Sequence, residues 1–169
     1  RYFASHKPLR ALAFDSVTIW MLCFMIVWLF QPRLKELGVG VAVYGFVTAA
    51  MTLSQIAILS SPERVELFFG GTRGYLTWSA VIPGLAFLAL PFTTNPWITC
   101  ALFVLIPALG LSRSVVISNH MNKHIDSAKR ATVLSTVGMG RQLTGVIVLP
   151  IVGLLTKLSL GWTFTALGA

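Results

Sequence analysis

Apolar positions along this chain come in long unbroken runs, and charged residues fall in the short intervals between them. An α-helix needs roughly 20 apolar residues to cross a hydrocarbon core. On that measure the runs predict five spans, at about residues 11–31, 38–60, 74–91, 96–118 and 131–156, and the start of a sixth at 158–169 that is too short to cross. The first is rich in Trp, Phe, Met, Ile and Leu and carries one charge, Asp15. No charge occurs between Gly74 and Ser112, a run about twice one crossing, so it must fold back once. Pro91-Phe92-Thr93-Thr94-Asn95-Pro96 supplies the turn, because proline restricts the residue before it and lacks the donor that a continuing helix needs. The chain opens on Arg1 and closes partway through an apolar helix, so sequence is expected on both sides of it.

Composition turns these helices into a class. Of 169 residues 56% are hydrophobic and 11% charged, with mean hydropathy +0.80. A water-soluble domain of this length leaves too much surface exposed to hide that many apolar side chains, and lipid removes the contradiction. The expected fold is an all-α membrane protein, a polytopic transmembrane helical bundle whose first partner is the lipid bilayer. The net charge of +8 does not point to nucleic acid, since the basic residues stand singly rather than in the continuous face that phosphate binding requires.

Positive charge in short loops is instead an orientation signal. With the N-terminal flank cytoplasmic, that side holds Arg1, Lys7, Arg10, Arg64, Arg73, Lys123, Lys129 and Arg130, with Arg113 close to it. The opposite side holds Arg33, Lys35 and Lys157. Asp15, about one turn inside the first span, is expected to reach cytoplasmic water or Arg10, and Arg113 to reach the inner surface. Cys23 and Cys100 fall in spans without a CxxC and read as buried thiols.

Two segments resemble a known family. Leu29-Phe30-Gln31-Pro32-Arg33-Leu34-Lys35-Glu36-Leu37-Gly38-Val39 looks like the end of the seventh helix and the outer loop of bacterial major facilitator superfamily transporters, and Tyr44-Gly45-Phe46 sits where the eighth helix begins. More specifically, Asn119-His120-Met121-Asn122-Lys123-His124-Ile125-Asp126-Ser127-Ala128-Lys129-Arg130-Ala131-Thr132-Val133-Leu134-Ser135 is similar to that family's cytoplasmic loop into helix eleven. The resemblance implies that residues 1–169 are the C-terminal half of such a transporter, helices seven to eleven plus the start of twelve. It further implies a multi-pass protein of a cell membrane, the bacterial inner membrane, working by alternating access with the N-terminal half of the same transporter, and moving a small organic solute coupled to protons or another ion.

Each matched part also has a physical role. Gln31-Pro32 is expected to end a helix at the outer interface, anchored there by the hydrated charges Arg33, Lys35 and Glu36. The polar run Asn119 to Arg130 is expected to lie as a short amphipathic stretch on the membrane surface.

Transport needs polar groups on faces turned to a cavity. In the fifth span Ala131, Ser135, Gly138, Gln142, Gly145, Leu149 and Gly153 fall on one stripe, and in the second Tyr44, Thr48, Met51, Thr52 and Gln55 do the same. Small residues equally serve helix packing, and hydroxyls can bond back to their own helix. In the family resemblance helices eight and eleven line the central cavity, which makes Ser135, Gln142, Tyr44, Thr48 and Gln55 substrate-cavity candidates. Arg141 is the sharpest one. It lies eleven residues beyond Arg130, roughly 16 Å into the membrane at about 1.5 Å per residue. An arginine facing lipid there costs about 2.5–3.5 kcal/mol on insertion scales, so it should face protein, water or an anion, as a cavity or coupling residue.

Between spans two and three, Glu63, Arg64, Gly71 and Arg73 stand where the family carries a Gly- and Arg-containing motif that holds a helix pair in one conformation, with departures from the Asp-Arg pattern. His120 and His124 are four apart but lack a nearby carboxylate pair, so no metal and no cofactor is expected. The chain shows no HExxH, no Ser/His/Asp set and no Gly-rich phosphate loop, so it is not expected to be an enzyme. The rival readings are an integral-membrane enzyme acting on lipid head groups and a non-transporting membrane scaffold.

Overall fold

The computed structural model describes residues 7–125 and 127–169, and the side chains of all of these except 7–9, 120–124 and 127–129. Among the described residues every regular element is helical, and five helices are long and apolar enough to cross a membrane. Helices α1 (Lys7–Phe24) and α2 (Ile26–Glu36) are separated only by Met25, whose N–H still bonds to the carbonyls of Met21 and Leu22 at 3.2 Å each. They form one apolar rod, Arg10–Glu36.

The expectation that Gln31-Pro32 ends this rod is corrected, because Pro32 lies inside α2. Proline withholds a single N–H, whereas the stop is made by Gly38, whose φ of 72° only glycine adopts readily. Around it the N–H groups of Gly38 and Val39 turn back to Lys35 and Leu34 at 3.0 Å each, satisfying carbonyls at the helix end. Arg33 is corrected as well: its side chain is only 15% exposed. It donates through Nη2 to the carbonyls of Leu90, Pro91 and Thr93 at 3.2, 3.4 and 2.8 Å, clamping the end of α2 to the next turn on that side, while Lys35 and Glu36 stay exposed.

Helix α3 (Val41–Ser60) runs into the short α4 (Pro62–Phe68), then α5 (Thr72–Ala89) and a 3₁₀ turn at Leu90–Phe92. The charge-free run breaks here because Asn95 caps α6 (Pro96–Gly110), accepting from the N–H groups of Trp97 and Ile98 at 2.9 and 3.4 Å. Pro96 occupies the first turn, where its missing N–H costs nothing. Helix α7 (Arg113–His124) follows almost directly, then α8 (Ser127–Leu158) and α9 (Leu160–Gly168).

Helix α7 ends at His124 and α8 begins at Ser127, so the run 119–130 is largely helical, the end of one helix and the start of the next. Ile125 explains this, being buried with Ala13, Ile117, Val133 and Val137 and pinning the turn to α1, α7 and α8.

Helix α6 is the centre of the bundle, packed on α1, α2, α3 and α5, with α9 against α5 and α8, and α8 against α1. Glycine permits two of the close approaches. A Cβ on Gly110 would run into the side chain of Cys23, and one on Gly168 would come within 2.8 Å of the Gly84 carbonyl oxygen. Rings fill the other gaps: Phe103 of α6 meets Phe30 and Phe164 with centroids 6.3 Å apart in each case, and Phe87 meets Phe164 at 6.4 Å.

Candidate polar site between the helices

At the end of the bundle away from these rings, polar side chains from α1, α5, α7 and α8 converge. Asp15 sits in α1 and Arg113 opens α7, and together they make a two-toothed ion pair. Arg113 Nη2 donates to both carboxylate oxygens at 2.7 and 2.6 Å, and Nε to one of them at 3.2 Å. Its Nη1 donates to Ser79 Oγ of α5 at 2.9 Å. The Arg113 side chain is 7% exposed and that of Asp15 33%, so the pair is mostly enclosed. One helical turn before Ser79, the Tyr75 hydroxyl shares a 2.9 Å hydrogen bond with Ser112, the residue preceding Arg113.

This geometry corrects one expectation, since Arg113 is turned inward rather than to the inner surface, and it gives Asp15 a partner from 98 positions away. Either charge buried alone would be costly, whereas the pair with its extra hydrogen bonds is tolerated. Helical spacing carries no signal for such a partner, which is why the pair escaped the sequence.

Arg141, on α8, faces protein. Its Nη2 donates to Ser16 Oγ at 2.6 Å, and the guanidinium carbon lies 5.5 Å from the Trp20 ring centroid, a cation–π arrangement. Its Nε is buried without a hydrogen-bond partner. Consecutive residues of α1, Asp15 and Ser16, thus each hold an arginine from a different helix. A cavity of about 130 Å³ lies beside Arg141, lined by Ser16, Ser114, Ser118, Leu134, Val137 and Gly138.

The remaining candidates lie elsewhere. Ser135 and Gln142 are exposed and border a shallow hollow with Gly138, Met139 and Leu143. Along the α8 stripe Gly145 packs near Met21, while Gly138 and Gly153 have open space around them. On α3, which packs on α6 rather than on α8, Tyr44 is half-buried with its ring edge-on to Phe30 at 6.1 Å. Thr48 is exposed and donates to the Tyr44 carbonyl at 2.9 Å, and Gln55 donates to the Met51 carbonyl at 3.0 Å, so both are satisfied by their own helix.

Glu63 and Arg64 in α4 and Arg73 at the start of α5 are exposed and form no ion pair among the described residues. Their neighbour Glu66 accepts from Thr72 at 2.5 Å instead, and Gly70 and Gly71 turn the chain at φ 79° and 97°. The orientation charges Arg1, Lys7, Lys123 and Lys129 and the pair His120/His124 lie outside the described side chains. Among the described residues no three His, Cys, Asp or Glu side chains come together. No protein family matches this chain, and neither does any curated protein or solved structure.

Proposed function

We propose that this chain is a membrane-spanning half of a secondary transporter, moving a small organic solute by alternating access with proton or other ion coupling. What supports this most is the polar cluster: Asp15, Arg113, Ser79, Ser16 and Arg141 are gathered inside a bundle whose helices are otherwise long and apolar. Ionisable side chains held within apolar helices are expensive, and where they occur they mark solute or ion pathways. A scaffold needs the small-residue crossings at Gly110 and Gly168 but not a guanidinium set about 16 Å along α8 from Arg130. Resemblance of residues 29–39, 44–46 and 119–135 to major facilitator superfamily sequences supports the same reading, with the partner an N-terminal half of the same protein and the N-terminal flank of this chain cytoplasmic in a bacterial inner membrane. Prolines Pro83, Pro107 and Pro150 inside α5, α6 and α8 suit helices that bend as the halves rock.

The test is flux in proteoliposomes carrying the full-length protein, with pooled small solutes and an imposed pH gradient. Gradient-dependent solute movement above protein-free vesicles is expected, and folded protein that moves nothing under any gradient contradicts the proposal.

A further inference from the structure

We propose that the cavity beside Arg141 is a binding site for a small monovalent anion, either an inorganic ion or the carboxylate of an organic acid. Charge accounting comes first. The chain has five carboxylates. Asp15 adjoins Ser16, to which Arg141 donates, and both of its oxygens accept from Arg113. Glu36 is paired with Arg33 at 2.9 Å. Asp126 lies outside the described residues. Glu63 and Glu66 belong to α4, and no ion pair joins either to Arg141 among the described residues. Among the described residues the two guanidiniums of the cluster therefore share one carboxylate, and none is paired with Arg141.

Donor chemistry agrees. Arg141 offers an Nε with no partner, and Ser16 accepts the hydrogen bond from Nη2, which leaves its own O–H free to donate. Ser118 also lines the cavity, and none of the lining residues is acidic. A guanidinium with adjacent hydroxyls is suited to a halide, or to the planar oxygens of nitrate or carboxylate, and repels a cation. Size sets the limit. At about 130 Å³ the cavity holds the volume of about four waters, taking each as about 30 Å³ in the liquid, so chloride, nitrate, formate or acetate fits whole, and a larger acid can place only its carboxylate there.

This inference concerns binding and does not rest on the transport reading, so a protein that moves no solute leaves it standing. The experiment follows thermal unfolding of the full-length protein in detergent as potassium gluconate is replaced, at constant ionic strength, by chloride, nitrate, formate or acetate. The readout is the difference between wild type and two variants, which removes general salt effects. Arg141→Gln deletes the charge. Gly138→Leu instead fills the cavity with Arg141 retained, and the open space around Gly138 gives the new side chain room, so it serves if the first variant fails to fold. Wild type is expected to gain about 3–6 °C, saturably, at ten times the dissociation constant, with the gain lost in the variants. A gain with chloride and nitrate alone identifies an inorganic ion, and a gain with formate and acetate too identifies the carboxylate of an acid. If no anion stabilises the wild type, or if either folded variant gains as much as the wild type, the site is overturned.

Discussion

Where α2, α5, α6 and α9 meet, Phe30, Phe87, Phe103 and Phe164 touch ring to ring, and each buries without needing a chosen partner. Where α1, α5, α7 and α8 meet, Asp15, Ser79, Arg113, Ser16 and Arg141 hold one another by directed contacts of 2.6–2.9 Å. The apolar end asks for volume, and any side chain of the right size serves it. The polar end asks for particular pairs, so removing one member leaves the other worse off than removing both.

The contrast predicts an order of effects. Asp15→Asn should be the most damaging, about 4 kcal/mol in thermal or denaturant unfolding, because it strands the Arg113 guanidinium, which is almost fully enclosed. The double variant Asp15→Asn/Arg113→Met should be more stable than the single one; if it is worse, the two residues are not coupled. At the apolar end Phe103→Ala should cost about 3 kcal/mol and Phe103→Leu under about 1.5 kcal/mol, since the second keeps most of the volume. Equal costs would mean that the ring contacts are themselves specific.

Gly110→Ala should cost about 2 kcal/mol by forcing α6 away from Cys23, and Cys23→Ala should recover part of that loss in the same unfolding assay. Thr48→Val should change stability by less than about 0.5 kcal/mol, because its exposed hydroxyl serves only its own helix. A large loss of flux in that variant would restore Thr48 to the solute path.

The helices themselves were readable because an apolar run of bilayer length has few other ways to fold, and because the prolines of the Pro91–Pro96 segment announce a turn. Pro32 misled because proline ends a helix only where the following backbone also turns, and the turn belongs to Gly38. Depth along α8 alone argued that Arg141 turns away from lipid, toward protein, water or an anion, whereas its partner Ser16, 125 positions away, was not readable. The same limit hid the Asp15–Arg113 pair. Periodicity did place Thr48, Gln55, Ser135 and Gln142 on faces of α3 and α8, but which face meets a neighbour is decided by packing, and α3 and α8 turn to different helices.

The central claim, that the polar cluster is a working site and not merely a packing device, is tested most directly by gradient-driven solute flux in proteoliposomes reconstituted with wild type or Arg141→Gln at matched amounts of folded protein. Flux lost in a variant that still folds is the predicted result, and flux equal to wild type would contradict the account.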